Sequence, residues 1–310
     1  MQMRITRTYL AVPAHQKHMV ESASSLTVDA VFLDLEDAVP EAQKDAALEG
    51  AIEAINTLDW GTKTVCVRVN VPSSARIANE IVQLLSAAPR LDTLLIPKVE
   101  SVDEIRRIET MVEPATPGRR HPPGLEVMIE TARGLVNCEA IAGASRYIES
   151  LHFGVGDFSA SIGAKGVEIG LSHPTYQLTS RTEDASYSRT PLDMWAYPMM
   201  RILVAARAFG LRAIDGPCGA FRDAVLSRDL ALKAAAMGFD GKQVIHPLQI
   251  DATRSAFMPT DREISQAQRV LEAISSAEQE GKGAVQVDGK LVDYANVRMA
   301  QRIIGLAEAG

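Results

Sequence analysis

Short runs of apolar residues recur along the chain, and each is followed by a segment whose apolar positions have helical spacing. Most runs are continuous rather than alternating, which is typical of strands buried on both faces of a parallel sheet. Eight strands with intervening helices predict an α/β protein folded as a (β/α)8 TIM barrel, with a doubly wound open sheet of six strands as the alternative. The predicted strands are Thr8–Val12, Ala30–Leu35, Thr64–Val69, Thr93–Ile96, Leu125–Ile129, Ser150–Val155, Leu211–Ile214 and Gly241–Ile245.

The segments between the strands predict helices, with one long interruption. Ala164–Thr190 is polar and rich in serine and threonine, and it precedes a predicted helix over Leu192–Phe209. Loops of this length without regular structure are usually functional or disordered, so we expect one of the two here. The other predicted helices of the barrel region are Glu41–Leu58, Arg76–Ala87, Ser101–Val112, Leu135–Ala142 and Ser227–Met237.

The last fifty or so residues predict a helix, a hairpin and a second helix. Thr260–Glu263 has the pattern of a capping box, Asp288-Gly289 predicts a two-residue hairpin turn, and the last helix begins near Tyr294. A lone hairpin is only marginally stable in water, so we expect this tail to dock on a barrel mouth, of its own chain or of a neighbour. The predicted division is a catalytic barrel over 1–258 and a C-terminal lid over 259–310.

Composition and charge narrow the class of protein. With 46% hydrophobic and 23% charged residues, the chain has the usage of a soluble globular protein. A formal net charge of −7 excludes a generally basic nucleic-acid binder and gives no electrostatic reason to expect a membrane partner. Three scattered cysteines indicate a reducing compartment, and no segment has the apolar length of a membrane helix. We therefore expect a cytoplasmic protein.

Ionisable residues follow seven of the eight predicted strands, and we expect them at that end only. In a barrel, the carboxyl ends of the strands and the loops after them form the active face. Chance placement would scatter such residues over both ends, so these residues predict the position of an active site. They are Asp34, Glu36 and Asp37, Arg68, Lys98 and Glu100, Glu130, Asp157, Asp215, and His246.

Glu130 and Asp157 follow the neighbouring fifth and sixth strands, so we expect their carboxylates to converge. Two adjacent carboxylates repel unless a cation or a shared proton relieves them. No histidine or cysteine is spaced with them as in a zinc site, and a hard ion completed by waters and substrate oxygens suits Mg²⁺ or Mn²⁺. The alternative is that each carboxylate pairs with a neighbouring cation, such as Arg68 or Lys98.

Arg68 lies among apolar residues of a central strand, where an arginine is costly unless it is paired. It is either a structural ion-pair partner or a clamp for a carboxylate or oxyanion, and the two roles can coexist. Glu36 and Asp37 either bind metal-bound waters or cap the helix that begins near Glu41. Asp293, after the hairpin, has the simple role of N-cap of the last helix.

Eight motifs occur in order and cover nearly the whole chain. Together they resemble the citrate lyase β-subunit-like branch of the HpcH/HpaI aldolases, and within it the malyl-CoA and β-methylmalyl-CoA lyases. The motifs are LEDAV (Leu35–Val39), VRVN (Val67–Asn70), IPKVES (Ile96–Ser101), MIET (Met128–Thr131), GVGDFSASIG (Gly154–Gly163), DGP (Asp215–Pro217), GKQVIHP (Gly241–Pro247) and GKLVD (Gly289–Asp293).

The resemblance implies a Mg²⁺-dependent barrel with a C-terminal lid, assembled as a homotrimer or homohexamer. Glu130 and Asp157 would ligate the metal. Arg68, Gly156 and Asp157 would bind the substrate, with Arg68 also holding the oxyanion. Asp293 would be the acid/base that the lid of an adjacent subunit delivers. The residues around the metal ligands would be Glu36, Asp37 and Lys98.

The implied reaction is reversible Claisen-type cleavage of a 3-hydroxyacyl-CoA to an acyl-CoA and glyoxylate or another 2-oxo acid. The alternatives are a thioesterase on malyl-CoA, a class II aldolase that acts on free 2-oxo acids, and a non-catalytic sensor. One departure bears on coenzyme A. Relatives show a Pro-Gly turn after strand one with an arginine two positions beyond the glycine, where this chain has Ala14 and Gln16. Lys17 or His18 could compensate.

Overall fold

The computed structural model describes residues 4–113, 122–166, 168–279, 281 and 283–308. The chain divides into two compact units, Met1–Thr253 and Arg254–Gly310. The division falls a few residues before the one expected from the sequence, inside a helix that spans Ile250–Phe257. Among the described residues, no helix is both long and apolar enough to cross a membrane.

The first unit contains a closed barrel of eight parallel strands. The barrel order is β1-β10-β9-β6-β5-β4-β3-β2, and β1 pairs with both β2 and β10, which closes the sheet. The predicted (β/α)8 barrel is therefore confirmed and the open sheet is wrong. The strands of the described residues are β1 (Thr8–Pro13), β2 (Ala30–Asp34), β3 (Thr64–Arg68), β4 (Thr93–Ile96), β5 (Gly124–Ile129), β6 (Ile148–Phe153), β7 (Gln177–Arg181), β8 (Tyr187–Pro191), β9 (Arg212–Asp215), β10 (Gly241–Val244), β11 (Val285–Val287) and β12 (Lys290–Val292).

Helices follow the barrel strands, as the apolar spacing predicts. Several begin with side-chain caps, and at α4 the Ser101 and Glu104 side chains form a complete capping box. The helices are α1 (Lys17–Ser25), α2 (Lys44–Thr57), α3 (Ile77–Ala87), α4 (Val102–Val112), α5 (Ala132–Val136), α6 (Cys138–Ala142), α7 (Val155–Ser161), α8 (Ala196–Ala208), α9 (Ala224–Met237), α10 (Ile250–Phe257), α11 (Asp261–Gln279) and α12 (Tyr294–Glu308), with 3-10 turns at Glu41–Gln43 and Pro247–Gln249.

The segment expected to be an irregular loop contains a hairpin instead. Within Ala164–Thr190 and just beyond it, β7 and β8 pair antiparallel, from Gln177 opposite Pro191 to Arg181 opposite Tyr187. The Asp184 carboxylate accepts hydrogen bonds from both hydroxyl groups of the turn, those of Thr182 and Ser186. Nearly every hairpin residue is exposed, so neither face carries the apolar alternation by which a strand is recognised in a sequence.

A second difference is that the helix predicted over Leu135–Ala142 is two short helices. Asn137 leaves helical geometry, with φ of −100° and ψ of 5°, and separates α5 from α6. Its side-chain amide donates to the Glu100 carbonyl oxygen at 2.8 Å. This bond satisfies the Glu100 carbonyl oxygen in the loop after β4. The spacing of apolar residues gives no sign of it.

The expectation that charged groups lie at one end of the strands only is wrong. A charged layer also lies inside the barrel below the carboxyl ends, where Glu126 accepts hydrogen bonds from Arg212 at 3.0 Å and pairs with His152 at 2.8 Å. Glu126 and His152 are both fully buried. Burial raises the pKa of Glu126, but Arg212 and His152 outweigh it and hold that pKa well below its usual range. This layer is charge-compensated and structural.

Replacement of Arg212 tests that assignment. Arg212→Met would leave Glu126 charged and buried with its main cation removed, and we expect the free energy of unfolding to fall by about 3–5 kcal/mol. Urea denaturation measures the change. Arg201→Met is the matched control, because the Arg201–Glu139 pair is more exposed and should contribute about 1 kcal/mol or less. Equal losses in the two variants would contradict the structural role.

The second unit contains the helix, hairpin and helix expected from the sequence. The capping box at α11 is present, with the Glu263 amide donating to Thr260 Oγ1 at 3.2 Å and Glu263 Oε2 accepting from the Thr260 amide at 2.8 Å. Asp288 and Gly289 both have positive φ, of 48° and 77°, as a two-residue hairpin turn requires. The apolar core of this unit consists of Ala267, Val270, Ile274, Val292 and Ala300.

Candidate active site

The structure gathers five carboxylates and two cations at the carboxyl ends of β2 to β6. The order of the strands in the sheet makes these ends neighbours, since β2, β3, β4, β5 and β6 are adjacent in that order. The contributing residues are Asp34 at the end of β2, Glu36 and Asp37 after it, Arg68 at the end of β3, Lys98 after β4, Glu130 after β5 and Asp157 in α7.

Arg68 is fixed by Asp34, which lies directly opposite it in the register of β2 and β3. Arg68 Nε and Nη2 each donate to one Asp34 carboxylate oxygen at 2.6 Å. Burial lowers the pKa of Arg68, but Asp34 and Glu36 outweigh it and raise that pKa above its usual value. Nη1 lies 3.3 Å from Glu36 Oε2. The ion-pair role is therefore present, and it occupies one edge of the guanidinium fork.

Sequence reasoning missed Asp34 as the partner of Arg68. The sequence does contain a signal, because Asp34 and Arg68 are oppositely charged and end two adjacent parallel strands. What the sequence does not state is the register that sets them opposite each other. Asp34 also accepts hydrogen bonds from the amides of Glu36 and Ala38, at 2.9 and 3.1 Å, and so shapes the chain that follows β2.

Lys98 connects the acidic groups of three different loops. Its Nζ donates to Glu36 Oε1 at 2.5 Å and to Asp37 Oδ2 at 2.7 Å, and lies 3.7 Å from Asp157 Oδ2. Its amide donates to Glu130 Oε1 at 2.8 Å. Burial lowers the pKa of Lys98, but the hydrogen bonds to Asp37 and Glu36 raise it above its usual value. Lys98 therefore stays a cation.

These contacts settle one of the alternatives for Glu36 and Asp37. The 3-10 turn at Glu41–Gln43 has Pro40 as its N-cap and receives no side-chain cap. The expectation that Glu36 or Asp37 caps this helix is therefore wrong, because both carboxylates are directed to Lys98 instead.

Glu130 is buried, with 1% of its surface exposed, and its place depends on a glycine in the next strand's loop. A Cβ atom on Gly154 would lie 2.2 Å from Glu130 Oε2, which no side chain tolerates. Gly154 is a second residue that sequence reasoning did not single out. Burial raises the pKa of Glu130 to about 8; Arg68 opposes this shift, whereas Asp157 and Glu36 add to it.

Asp157 is half-buried and reaches the same lysine as Glu130 from the neighbouring strand. Its pKa is raised, first by burial, which Lys98 opposes, and then by the nearby Asp37 carboxylate. Gly156 precedes it in the first turn of α7. The structure thus brings together Glu36, Asp37, Arg68, Lys98, Glu130 and Asp157, with Gly156 beside them.

Three other predicted residues have hydrogen-bond partners that are not members of this cluster. Asp215 bonds Lys242 at 2.5 Å, and His246 caps the 3-10 turn at Pro247–Gln249. Asp293 belongs to the second unit, where its Oδ1 accepts from the amides of Ala295 and Asn296, at 2.8 and 3.4 Å, and caps α12. The cap predicted for Asp293 is therefore present, and its role as an acid/base stays a prediction.

The charge balance of the cluster suits a divalent cation. With every carboxylate ionised, five carboxylates against two cations leave a formal excess of three negative charges. Within the described residues, Glu36 Oε2 is buried without a hydrogen bond, and its nearby cation is Arg68 Nη1 at 3.3 Å. The described residues hold no group of three or more histidine, cysteine or acidic ligands able to cage a metal. Two carboxylates with waters and substrate oxygens are nevertheless the usual set for Mg²⁺. Glu130 and Asp157 are the pair that would hold such an ion.

The raised pKa of Glu130 predicts that the free energy of unfolding of the metal-free protein depends on pH. Between pH 4.5 and about 8 the folded protein keeps a proton that the unfolded chain releases, so this contribution to stability falls as pH rises. The slope is at most about 1.4 kcal/mol per pH unit. Glu130→Gln cannot titrate, so its stability relative to the wild type should increase across this window in EDTA.

Thermal or urea unfolding at several pH values measures this difference. Glu139→Gln is the matched control, because Arg201 lowers the pKa of Glu139 below its usual value and does not itself titrate in this window, so the effect should not vary with pH there. Parallel pH profiles for the wild type and Glu130→Gln would show that Glu130 is ionised throughout.

A closed parallel barrel with an acidic, cation-ready cluster at the carboxyl ends of its strands defines the class: a (β/α)8-barrel protein with the active face of an enzyme. Residues 7–247 match the model of the HpcH/HpaI aldolase/citrate lyase family, and the chain belongs to that family. The resemblance drawn from the motifs is thus confirmed, and with it the expectation of an aldolase- or lyase-type enzyme.

Relatives of defined name match nearly the whole chain. It is 34% identical over 308 residues to an L-malyl-CoA/β-methylmalyl-CoA lyase of Cereibacter sphaeroides, covering 98% of this chain and 95% of that protein. It is 33% identical to a malyl-CoA/β-methylmalyl-CoA/citramalyl-CoA lyase of Chloroflexus aurantiacus, covering 90% and 81%. Protein CitE of Mycobacterium tuberculosis, solved with magnesium, acetoacetate and coenzyme A, is 29% identical with a TM-score of 0.76, covering 99% and 100%.

Proposed function

We propose that this protein is a Mg²⁺-dependent carbon–carbon lyase that cleaves and forms a malyl-CoA-like 3-hydroxyacyl-CoA, with an acyl-CoA and glyoxylate or another 2-oxo acid as the partners. The observation that carries the proposal is the pair Glu130 and Asp157, two carboxylates with raised pKa values that follow the adjacent strands β5 and β6 and lie near Lys98. Perturbed carboxylates at the active face of a barrel are candidates for function rather than for stability.

Mg²⁺ is the ion we propose for this pair, with Mn²⁺ as a substitute. The similar CitE structure contains magnesium, and the donor set here is the hard oxygen set that Mg²⁺ prefers. When bound, the ion supplies Lewis-acid polarisation of the 2-oxo carbonyl. The excess of carboxylates over cations, and a Glu36 Oε2 that is buried without a hydrogen bond, are features of the described cluster that fit a cation.

Arg68 and Gly156 are proposed to hold the 2-oxo acid. Asp34 fixes the guanidinium through Nε and Nη2. Nη1 lies 3.3 Å from Glu36 Oε2, and we propose that this nitrogen turns to a substrate carboxylate or a developing oxyanion. A guanidinium locked in this way loses little freedom when substrate binds. Gly156 offers backbone without a side chain next to Asp157, which leaves room for a small substrate.

Asp293 is proposed as the group that removes the proton next to the thioester during condensation and returns it during cleavage. Such a carbon acid is weak, so a positioned base is needed. In the proposed assembly, the 259–310 lid of one subunit carries Asp293 to the site of an adjacent subunit, within a homotrimer or homohexamer. Exposed apolar side chains next to Asp293, Leu291 and Tyr294, support a lid that packs on another surface.

A groove between α1 and α2 supports coenzyme A as the carrier. It has a volume of about 310 Å³ and is lined in part by the small residues Ala14, Gly50 and Ala54 together with His15 and Lys17. Lys17 is well exposed and only loosely paired, 3.7 Å from Glu53. We propose that Lys17 supplies the positive charge for a phosphate that relatives obtain from the missing arginine. We also propose a cytoplasmic location, which the cysteine usage supports because three scattered cysteines are typical of a reducing compartment.

A defined mixture tests the function. The protein with Mg²⁺, glyoxylate and acetyl- or propionyl-CoA should form the 3-hydroxyacyl-CoA, detected by mass spectrometry. Glu130→Gln and Asp157→Asn should each lower turnover at least about a hundredfold while the fold is kept, because each removes a charged ligand of the ion. Release of free thiol without carbon–carbon product would identify a thioesterase, and product from free acids alone would identify a class II aldolase.

Asp293→Asn separates the two roles of Asp293. Asparagine caps a helix as well as aspartate does, so α12 should keep its stability, whereas the acid/base is lost and turnover should fall at least about a hundredfold. Circular dichroism and the lyase assay measure the two effects. Asp223→Asn, at the N-cap of α9, is the matched control and should leave turnover unchanged. Full activity of Asp293→Asn would refute the proposed lid chemistry.

A further inference from the structure

Three polar residues outside the cluster form a bracket behind the loop that carries Glu36 and Asp37. Glu80 on α3 and Asn70 after β3 are buried, with 3% and 5% of their surfaces exposed, and Lys44 begins α2. Glu80 accepts hydrogen bonds from both the amide and the side-chain Nδ2 of Asn70, at 2.8 Å for the amide. Asn70 Oδ1 in turn accepts a hydrogen bond from Lys44 Nζ.

The bracket holds the backbone of the loop rather than any side chain of the site. Lys44 Nζ donates to the carbonyl oxygens of Leu35 and Glu36, at 3.1 and 3.2 Å. Asn70 Nδ2 donates to the same Leu35 carbonyl at 3.1 Å. Asp34 holds the amides of this loop from the barrel side. The peptide before Glu36 is therefore fixed from both sides.

The position of this loop also determines the partners of Lys98. Glu36 and Asp37 hold the Lys98 ammonium at 2.5 and 2.7 Å, while Asp157 lies 3.7 Å from it. If the loop shifts, the ammonium loses its two nearer partners and Asp157 becomes the next carboxylate within reach. A lysine paired with Asp157 would compete for that carboxylate with a divalent cation.

We infer that Lys44, aligned by Asn70 and Glu80, is a positioning residue that keeps the Lys98 ammonium on Glu36 and Asp37 and so leaves Asp157 available to a divalent cation. Lys44 acts through the backbone of Leu35 and Glu36. The inference rests on the proposed role of Glu130 and Asp157 as the cation ligands. Partners that orient ligands in this way typically change metal affinity by about 10- to 100-fold when they are removed.

Calorimetric titration of Mg²⁺ into the metal-free protein at pH 8 tests the inference without any turnover. Lys44→Met should raise the Mg²⁺ dissociation constant about tenfold or more, and Lys44→Arg should recover much of the loss. Lys63→Met is the matched control, because Lys63 also donates to a carbonyl oxygen, that of Ser24 at 2.9 Å, but at the end of α1 and before the amino end of β3, whereas the cluster lies at the carboxyl ends. It should leave the dissociation constant unchanged.

A double replacement distinguishes positioning from general loss of structure. Lys98→Met removes the competing ammonium, so adding Lys44→Met in that background should change Mg²⁺ affinity less than twofold. If Lys44→Met does not fold, Glu80→Gln provides the second test, because an amide in place of the carboxylate cannot accept both Asn70 hydrogen bonds; it should raise the dissociation constant severalfold.

The outcomes are separable from those of the proposed function. Mg²⁺ affinity of Lys44→Met within twofold of wild type, or an equal loss in Lys63→Met, would overturn the positioning role. The same loss with and without Lys98 would also overturn it. Absence of lyase turnover in the wild type, with Mg²⁺ binding intact, would instead refute the proposed function and leave the positioning role standing.

Discussion

Lys98 is the point at which the loops after β2, β4, β5 and β6 meet. Its ammonium holds the Glu36 and Asp37 carboxylates, its amide holds Glu130, and Asp157 lies just beyond hydrogen-bonding distance. Lys98 does this with a φ of +49°, a conformation that is uncommon for residues with a side chain. This conformation costs backbone energy and persists only because the surrounding contacts hold it. Residues of this kind cluster at functional sites. Three of the five carboxylates of the cluster are hydrogen-bonded to this residue.

Two glutamates four residues apart show how the surroundings decide what a carboxylate does. Glu126 lies within β5 and Glu130 directly follows it, and both are buried. Glu126 is compensated by Arg212 and His152, and its pKa is lowered. Glu130 has two further carboxylates near it, and its pKa is raised to about 8. Glu126 belongs to a structural ion pair, whereas the cations near Glu130 do not fully compensate its negative charge.

The family motifs acquire physical reasons in this structure. Gly154 opens its motif because a side chain there would occupy the space of Glu130 Oε2. Asn70 closes its motif because both its amide and its side chain are bonded to Glu80, and it aligns Lys44. The loop after β2 is fixed from both sides in this way, so Glu36 and Asp37 keep their positions close to the other acidic side chains. Pre-organisation of this kind is what a site for a small charged ligand requires.

The sequence by itself determined the barrel, the positions of its eight strands to within a few residues, the helix caps at Thr260 and Asp293 and the set of ionisable residues at the carboxyl ends. These follow from local signals, namely continuous apolar runs, capping residues and turn residues. Only the tertiary structure decided that Asp34 pairs with Arg68, that Glu36 and Asp37 hold Lys98, that a second charged layer lies below the site, and that an exposed hairpin replaces a loop. Those features depend on strand register and on which charges become neighbours, and neither is written in the spacing of residues along one chain.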